Sequence, residues 1–253
     1  MENLALETPI APWRGLRRIN GLPVVVAHRG ASAGAQESSA ASFEGAIAAR
    51  SDAVETDVRL TADRRLVCHH DATLIRTAGL DDAIADLTFA ELEAKAPGIC
   101  MPLDRVVEVI AGRCNILLDL KLNEAADIAY LMDFLGGLPT DGRITVGVRT
   151  LATQRLFADR LPELPLLGLL ENPDDVGAFA AAGGVWWRLW EGTVTAERVA
   201  AAHALKLPVL VMVGGRGTEF PTGAVTEERI ASLLALGVDG FMLDDPAAVT
   251  ARR

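Results

Sequence analysis

Val24-Val25-Val26-Ala27-His28-Arg29-Gly30 is a short apolar run that ends in two polar residues and a glycine. Seven further apolar runs follow it along the chain. Continuous apolar runs of this length are typical of parallel strands that are buried on both faces. We therefore predict eight strands, at residues 24–27, 53–58, 116–120, 144–148, 166–170, 185–189, 209–213 and 238–243.

The segments between these runs have the spacing and the start signals of amphipathic helices. Residues 39–50 place apolar side chains on one face at helical spacing, with Ser38 or Ser39 available as N-cap. Residues 195–205 and 226–236 each open with a threonine cap and carry a glutamate in the first turn. Strands that alternate with helices indicate a parallel α/β fold.

Eight strands in 253 residues match a (β/α)8 TIM barrel, which we predict as a single domain over residues 1–253. A doubly wound open sheet is the alternative arrangement. The second and third strands lie about twice as far apart as the others, which predicts a small insertion after the second strand, at about residues 59–98. Because it follows the C-terminal end of a barrel strand, we expect it on the active-site face.

The composition restricts the classes of partner. The net charge is −10 and the pI about 4.9, so we expect no nucleic-acid partner, although a local cationic site can still bind a small anion.

The three cysteines, Cys68, Cys100 and Cys114, are sparse and lack metal-finger spacing, so we expect them to be reduced and buried. We expect no transmembrane segment and a cytoplasmic protein, because no apolar run is long enough to span a bilayer and Met1-Glu2-Asn3-Leu4 opens no signal pattern.

Three carboxylates occur in or at the ends of predicted strands. Glu55 and Asp57 lie two residues apart, so they point to the same face and can hold a divalent cation. A solvent-exposed pair or a salt bridge to Arg59 is the alternative. Asp119 and Lys121 alternate in the same way at the next strand end, where Asp119 could complete an oxygen shell and Lys121 could contact a phosphate. A simple ion pair is the alternative for these two.

Two histidines also follow apolar runs. His28 and His70 are candidates for a general acid and base, because imidazoles exchange protons near neutral pH. His69 would point to the opposite face from His70, and we choose His70 because Asp71 follows it. Arg29 suits bidentate contact with a phosphate. Together with the carboxylates, these residues indicate metal-assisted phosphodiester chemistry.

The combined pattern resembles the glycerophosphodiester phosphodiesterase family. Glu37 takes the place of the glutamate in that family's Pro-Glu-Asn-Thr stretch. The other stretches that carry the resemblance are residues 28–30, 53–57, 60–63, 70–71, 76–77, 119–121 and 237–240, with Asp244 and Pro246 at the end.

The resemblance implies a TIM barrel with a small insertion after the second strand, which agrees with the pattern of strands. It implies a Mg²⁺ or Ca²⁺ ion held by Glu55, Asp57 and Asp119. It implies His28 and His70 as the general acid/base pair. It further implies that the substrate contacts are Arg29, Lys121 and Glu37.

The sequence departs from the family pattern at four places. Asp119 stands where the family usually has glutamate, and Gln36-Glu37-Ser38-Ser39 replaces Pro-Glu-Asn-Thr. Val211-Met212-Val213-Gly214 replaces a Trp-Thr-Val-Asn stretch, and Leu243 replaces a threonine before the final aspartate. We expect these last two changes to lie near the leaving group, where they would affect the identity of the substrate.

The leading hypothesis is metal-dependent hydrolysis of a small-molecule glycerophosphodiester to sn-glycerol 3-phosphate and an alcohol. One alternative is lysophospholipase D-type cleavage of a lipid diester, with an acyl groove lined by apolar residues of the insertion: Leu74, Ile75, Leu80 and Ile84. Core packing is the other interpretation of those residues. A phosphodiester-binding protein with impaired catalysis is the second alternative.

The sequence leaves the oligomeric state open, because Trp186, Trp187 and Trp190 could mark an interface or be buried.

Overall fold

The computed structural model describes residues 10–18, 20–110, 112–139 and 141–251. In chain order its strands are β1 (Val24–Ala27), β2 (Ala53–Leu60), β3 (Leu66–Cys68), β4 (Met101–Pro102), β5 (Asn115–Leu120), β6 (Ile144–Val148), β7 (Leu166–Gly168), β8 (Trp186–Trp190), β9 (Val209–Met212) and β10 (Gly240–Leu243). Its α-helices are α1 (Ala40–Ala48), α2 (Ile75–Ala78), α3 (Phe89–Lys95), α4 (Leu103–Ile110), α5 (Ala125–Gly136), α6 (Leu151–Arg160), α7 (Val176–Ala181), α8 (Ala196–Ala204), α9 (Glu227–Ala235) and α10 (Ala247–Thr250).

Eight of these strands are parallel and close into a barrel. Their order is β1, β2, β5, β6, β7, β8, β9 and β10, and β10 pairs back with β1 from Val24 opposite Gly240 to Ala27 opposite Leu243. Each parallel strand is followed by a helix before the next one begins. The predicted TIM barrel is confirmed. The open-sheet alternative is wrong, because β1 has a parallel neighbour on both sides and the barrel has no free edge.

The strand ends differ from the predicted ones where a neighbouring strand begins or stops. β2 continues past residue 58 to Leu60, because its last three residues pair antiparallel with β3 outside the barrel. β7 ends at Gly168, the last residue that pairs with β6 and β8. β10 begins at Gly240 rather than residue 238, because Gly240 pairs with Val24, the first residue of β1.

The segment after β2 forms a separate small layer, at the place of the predicted insertion. β3 pairs with β2 and β4 pairs with β3, both antiparallel, and α2 and α3 lie between β3 and β4 in the chain. Its apolar side chains form a core of their own, made of Val67, Leu74, Ile84, Leu87, Leu92, Ala96 and Cys100.

Alternation along the strands divides the main core into two parts. Val24 and Val26 face the barrel interior, whereas Val25 and Ala27 pack outward against the helices.

The helices begin at residues that the predicted N-caps precede. Ser39, rather than Ser38, accepts a hydrogen bond from the Ser42 N–H at the start of α1. The threonines before α8 and α9 cap those helices in the same way.

Trp13 closes the N-terminal end of the barrel. Its side chain is fully buried among the first inward residues of the strands, and its indole Nε1–H donates to the Ile116 carbonyl at 3.1 Å. Trp186 packs edge-on against it, with ring centroids 6.3 Å apart. Trp187 is buried on the outer face beside Phe179. Trp186 and Trp187 are therefore core residues, which leaves only Trp190 of the tryptophan cluster at the cavity end of the barrel.

The cysteines are buried and free, as expected from the sequence. Burial raises the pKa of the Cys114 thiol to about 12, so this thiol is inert at neutral pH. Of the helices in the described ranges, none is both long and apolar enough to cross a membrane.

We predict that Trp13→Ala lowers the free energy of unfolding by about 3–5 kcal/mol, because it leaves a cavity at the closed end of the barrel. Urea unfolding followed by circular dichroism measures the change. Leu156→Ala on α6 is the control, since that side chain is exposed and its removal should change stability by no more than about 0.5 kcal/mol. Equal losses in the two variants would contradict the role of Trp13.

Candidate active site

A cavity of about 500 Å³ opens at the C-terminal end of the barrel strands, opposite Trp13. Its acidic and imidazole lining groups are Glu55, Asp57, Asp119, His28 and His70. Its cationic lining groups are Arg29, Lys121, Arg149, Arg188 and Arg216. The structure therefore brings seven of the eight sequence-predicted site residues to one cavity.

Strand alternation and register place the three carboxylates together. Glu55 and Asp57 continue the inward-facing series that begins at Ala53 in β2. The ladder between β2 and β5 sets Asp119 directly opposite Asp57. All three are buried, and each offers an oxygen atom within 4.8 Å of the other two. The alternative of a solvent-exposed pair is wrong, because Glu55 and Asp57 have 2% and 1% of their surface exposed. Arg59 donates to the His70 carbonyl, and the cations that pair with Asp57 are Arg29 and Lys121.

The charge of this triad is only partly compensated by the protein. Burial and the neighbouring Asp57 carboxylate raise the pKa of Glu55 well above its usual range. The buried Oδ2 of Asp57 has no hydrogen-bond partner among the described residues. Buried carboxylates with an oxygen that accepts no hydrogen bond fit a hard divalent cation, which prefers oxygen ligands. The donor set therefore suits Mg²⁺ or Ca²⁺ in chemical terms.

Two cations lie against the triad. Lys121 Nζ is 2.9 Å from Asp57 Oδ1 and donates to Asp119 Oδ2 at 2.8 Å. Arg149 donates to both oxygens of Asp119. Burial tends to raise the pKa of Asp119, but the charges of Lys121 and Arg149 outweigh it and the pKa is lowered. Asp119 is therefore an anion at neutral pH with its oxygens already shared.

Arg29 reaches the triad through an unusual backbone conformation. Its φ is +56°, in the left-handed region, and Gly30 follows at +79°. The Arg29 backbone N–H donates to Glu55 Oε2 at 3.0 Å, and its Nε lies 3.5 Å from Asp57 Oδ2. A side chain at Gly30 would overlap Ser42 in α1, so glycine is required there.

His28 is held by a carboxylate from the far end of the chain. Its Nδ1–H donates to Asp244 Oδ1 at 2.7 Å, and its Nε2 is 3.9 Å from Glu55 Oε2. Burial lowers the pKa of His28, but the Asp244 hydrogen bond and the Glu55 charge outweigh it, so that the pKa is raised. The bond at Nδ1 leaves Nε2 as the atom that faces the cavity.

His70 and His69 point in different directions, as alternation predicts. His70 lines the cavity and donates from Nδ1 to Asp71 Oδ1 at 2.6 Å. His69 is buried away from the cavity, between the Asp71 carbonyl and the Thr77 hydroxyl. Burial lowers the pKa of His70. The neighbouring Asp71 carboxylate orients the ring so that Nε2 is free.

Glu37 lies outside the cavity lining, and its carboxylate accepts from two arginines. Arg29 Nη1 donates to it at 3.0 Å, and Arg76 donates to both of its oxygens at 2.8 and 2.6 Å. Burial would raise the pKa of Glu37, but the hydrogen bonds from Arg76 and Arg29 lower it to about 2. Arg76 also donates to Asp71, so one chain of ion pairs connects His70 to Arg29. Glu37 is thus placed to orient Arg29, and its predicted contact with substrate stays a prediction.

Three arginines of the cavity were missed from the sequence. Arg149 follows β6 directly, Arg188 interrupts the apolar run of β8, and Arg216 lies in the loop after β9. A charged residue inside a buried strand is a signal that could have singled out Arg188.

The late departures from the family pattern lie in different places. Met212 lines the cavity. The expectation for Leu243 is wrong, because its side chain faces outward into the core beneath the helices.

Comparisons with known proteins agree with this geometry. Residues 28–248 match the family model described as the glycerophosphoryl diester phosphodiesterase family. The glycerophosphodiester phosphodiesterase of Bacillus altitudinis is 25% identical over 242 residues, which cover 88% of this chain and 94% of that protein. A Silicibacter pomeroyi crystal structure has a TM-score of 0.77 and 26% identity, over 96% of this chain and 97% of that one. An Oleispira antarctica phosphodiesterase, solved with its product sn-glycerol-3-phosphate, has the same fold, with a TM-score of 0.76 and 22% identity over 91% of this chain and 96% of that one.

We predict that Gly223→Ala destabilises the protein more than Gly183→Ala does. Both glycines have a left-handed φ, +83° and +82°, so each substitution should cost about 1–2 kcal/mol in backbone strain. A side chain at Gly183 meets open space, whereas one at Gly223 overlaps the Asp244 carboxyl that holds His28. We expect an additional loss of about 1–3 kcal/mol for Gly223→Ala in urea unfolding. Equal losses would show that Asp244 is not confined by Gly223.

Proposed function

The chain belongs to the glycerophosphoryl diester phosphodiesterase family, and on that premise we propose that it hydrolyses glycerophosphodiesters to sn-glycerol 3-phosphate and an alcohol, with a divalent cation bound in the cavity. Family membership makes the chain a phosphoric diester hydrolase. The metal, the products and the roles of individual residues are the parts that we propose.

One observation carries the proposal. A single cavity combines three buried carboxylates, two histidines and the cations Arg29 and Lys121. Each histidine donates its Nδ1–H to an aspartate, which fixes its tautomer. That combination suits a reaction in which negative charge builds on the oxygens of a phosphodiester. It also suits the removal of a proton from the nucleophile and the donation of one to the leaving group.

Glu55, Asp57 and Asp119 would hold the metal ion. Oδ2 of Asp57, which accepts no hydrogen bond, and the raised pKa of Glu55 both favour a bound cation at this place. When bound, Mg²⁺ or Ca²⁺ would act as a Lewis acid on a phosphoryl oxygen. Asp119 has a shorter side chain than the glutamate usual in the family, and its oxygens are shared with Lys121 and Arg149. We therefore propose that it is the weakest of the three ligands.

Arg29 and Lys121 would neutralise the phosphodiester. Arg29 is fixed on both sides, by Glu37 at its guanidinium and by Glu55 at its backbone N–H. A guanidinium that is oriented in advance loses little entropy when it binds a phosphate. Lys121 supplies a second positive charge from the neighbouring strand. Both charges become more effective as negative charge builds on the phosphoryl oxygens.

His28 and His70 would move the protons. Each presents Nε2 to the cavity while Nδ1 is bonded to Asp244 or Asp71. One histidine would take a proton from the nucleophile, which is water or a neighbouring glycerol hydroxyl. The other would give a proton to the oxygen of the departing alcohol. The aspartates stabilise each ring when it carries the positive charge.

The described residues give no structural support to the two alternative functions. Leu74 and Ile84, proposed as part of an acyl groove, are buried in the separate core of the insertion, and Leu80 packs against it. Ile75 is exposed by itself, with 55% of its surface accessible. A binding protein with impaired catalysis would not need two oriented histidines beside the carboxylates. We therefore propose a small-molecule diester as the substrate.

We predict that Mg²⁺ or Ca²⁺ raises the thermal stability of the protein and that Glu55→Gln abolishes the rise. A ligand at a hundred times its dissociation constant stabilises the folded state by about 2.7 kcal/mol. Without metal, Glu55→Gln should be at least as stable as the wild type, because it removes one of three repelling buried carboxylates. Differential scanning calorimetry with EDTA or added metal measures both effects. Glu44→Gln on the exposed face of α1 is the control and should keep the response to metal. A full response in Glu55→Gln would refute the ligand assignment.

We predict that His28→Ala and His70→Ala each lower the rate of sn-glycerol 3-phosphate release by about 10²–10⁴-fold, the usual contribution of a general acid or base. The assay uses glycerophosphocholine and glycerophosphoethanolamine with Mg²⁺, Ca²⁺ or Mn²⁺. His203→Ala is the matched control, because His203 lies on α8 and pairs with Asp239 away from the cavity. Undiminished activity in either cavity variant would remove that histidine from the mechanism.

A further inference from the structure

Arg188 is a buried cation on the inner face of the barrel. Along β8, Trp186 and Arg188 face inward, while Trp187 and Leu189 pack outward. Only 4% of the Arg188 surface is exposed, and it lines the cavity. Charged groups are rarely buried to this degree without a partner of opposite charge.

The protein itself supplies little compensation for this charge. Arg188 Nη2 donates to the Leu169 carbonyl at 3.2 Å, and the guanidinium lies 4.8 Å from the centroid of the Trp190 ring. Among the described residues, no carboxylate lies within 4 Å of its nitrogen atoms. The uncharged residues that line the cavity besides Trp190 are the apolar Leu169, Met212 and Met242 and the hydroxyl-bearing Thr222.

Arg188 differs in this respect from the other cations of the cavity. Arg29, Lys121, Arg149 and Arg216 each form an ion pair with at least one carboxylate. Because these four are at least partly neutralised by the protein, Arg188 is the cavity cation with the least compensated charge among the described residues.

Two neighbouring arginines increase the positive potential around Arg188. The Arg216 guanidinium lies 5.5 Å from the Trp190 centroid, so that ring is shared by Arg188 and Arg216. Burial, together with the charges of Arg149 and Arg216, outweighs the attraction of Asp119 and lowers the pKa of Arg188 to about 10. Arg188 is thus still charged at neutral pH, in surroundings that favour an anion beside it.

We propose that Arg188 binds a second anionic group of the substrate, a carboxylate or phosphate carried by the part that lies away from the cleaved phosphodiester. The inference rests on the proposed function and adds the class of substrate to it. The cleaved phosphodiester has its own cations in Arg29, Lys121 and the metal. The side of the cavity around Arg188 has a positive charge and apolar walls instead, and these suit an organic group with a terminal anion.

The consequence is a preference among glycerophosphodiesters. A substrate whose alcohol carries an additional negative charge should be cleaved more efficiently than the same substrate without it. A hydrogen-bonded ion pair with a buried guanidinium is expected to increase kcat/KM by about 10- to 100-fold.

Two matched pairs of substrates test the preference. Glycerophosphoserine differs from glycerophosphoethanolamine by one carboxylate, and glycerophosphoinositol 4-phosphate differs from glycerophosphoinositol by one phosphate. We expect kcat/KM to be at least about 10-fold higher for the anionic member of one pair or both. A ratio in the serine pair alone identifies a carboxylate, and one in the inositol pair alone identifies a phosphate. Ratios near one in both pairs, with hydrolysis of all four compounds, overturn the proposal.

Substitution of Arg188 assigns the preference to this residue. Arg188→Met should reduce the ratio to near one by lowering kcat/KM for the anionic member, while Arg188→Lys should keep part of it. Arg160→Met makes the same change in net charge on the outer helix α6, where Arg160 pairs with Asp133, and should keep the full ratio. If Arg188→Met does not fold, the wild-type ratios and Arg188→Lys still decide the matter. An equal loss of kcat/KM for all four substrates would place Arg188 at the cleaved phosphate and contradict the proposal.

The same experiment separates the two levels of inference. Absence of sn-glycerol 3-phosphate release from all four compounds, with any of the three metals, overturns the proposed function and this inference with it. Hydrolysis without an anionic preference overturns this inference alone.

Discussion

The parallel pairing of β2 with β5 is the constraint on which the candidate site depends. Its register sets Asp57 opposite Asp119, and the alternation of β2 adds Glu55 one step deeper in the barrel. Three buried carboxylates within 4.8 Å of one another repel each other strongly. Arg29, Lys121 and Arg149 surround the triad and reduce this repulsion, yet one oxygen of Asp57 is still without a hydrogen bond. The triad is thus a group of carboxylates that could hold a metal ion.

β2 also joins the two parts of the molecule that supply the histidines. Its first residues pair with β1 and close the barrel, while its last three pair with β3 and begin the insertion. β5 occupies the other edge of β2, so His28, at the end of β1, and His70, after β3, both follow strands on the edge of β2 away from β5. The ion pairs from Asp71 through Arg76 and Glu37 to Arg29 connect the segment after β3 with the segment after β1. Movement of the insertion would thus disturb Arg29 as well as His70.

The cavity has two halves that differ in chemistry. One half contains the carboxylates, the histidines and the paired cations Arg29, Lys121 and Arg149, a set that suits a phosphodiester group. The other half combines Leu169, Met212 and Met242 with Arg188 and the Trp190 ring. Within one TIM barrel this division is possible because each strand contributes its own inward residues to the cavity floor. Reaction type and substrate choice can therefore depend on different strands.

The sequence by itself determined the eight parallel strands, the helix caps and the inward direction of Glu55, Asp57 and Asp119, because these follow from local apolar runs and from the two-residue period of a strand. It also singled out His28, which directly follows such a run, and His70, which comes two residues after Leu66-Val67-Cys68 and before Asp71. Only the tertiary structure decided that His28 is bonded to Asp244, 216 residues away, and that Glu37 contacts Arg29 and Arg76 rather than the cavity. Arg149 and Arg188 joined the site in the same way, through closure of the barrel. Local spacing determines the face on which a side chain lies, but its charge partner is determined by the strands that closure brings beside it.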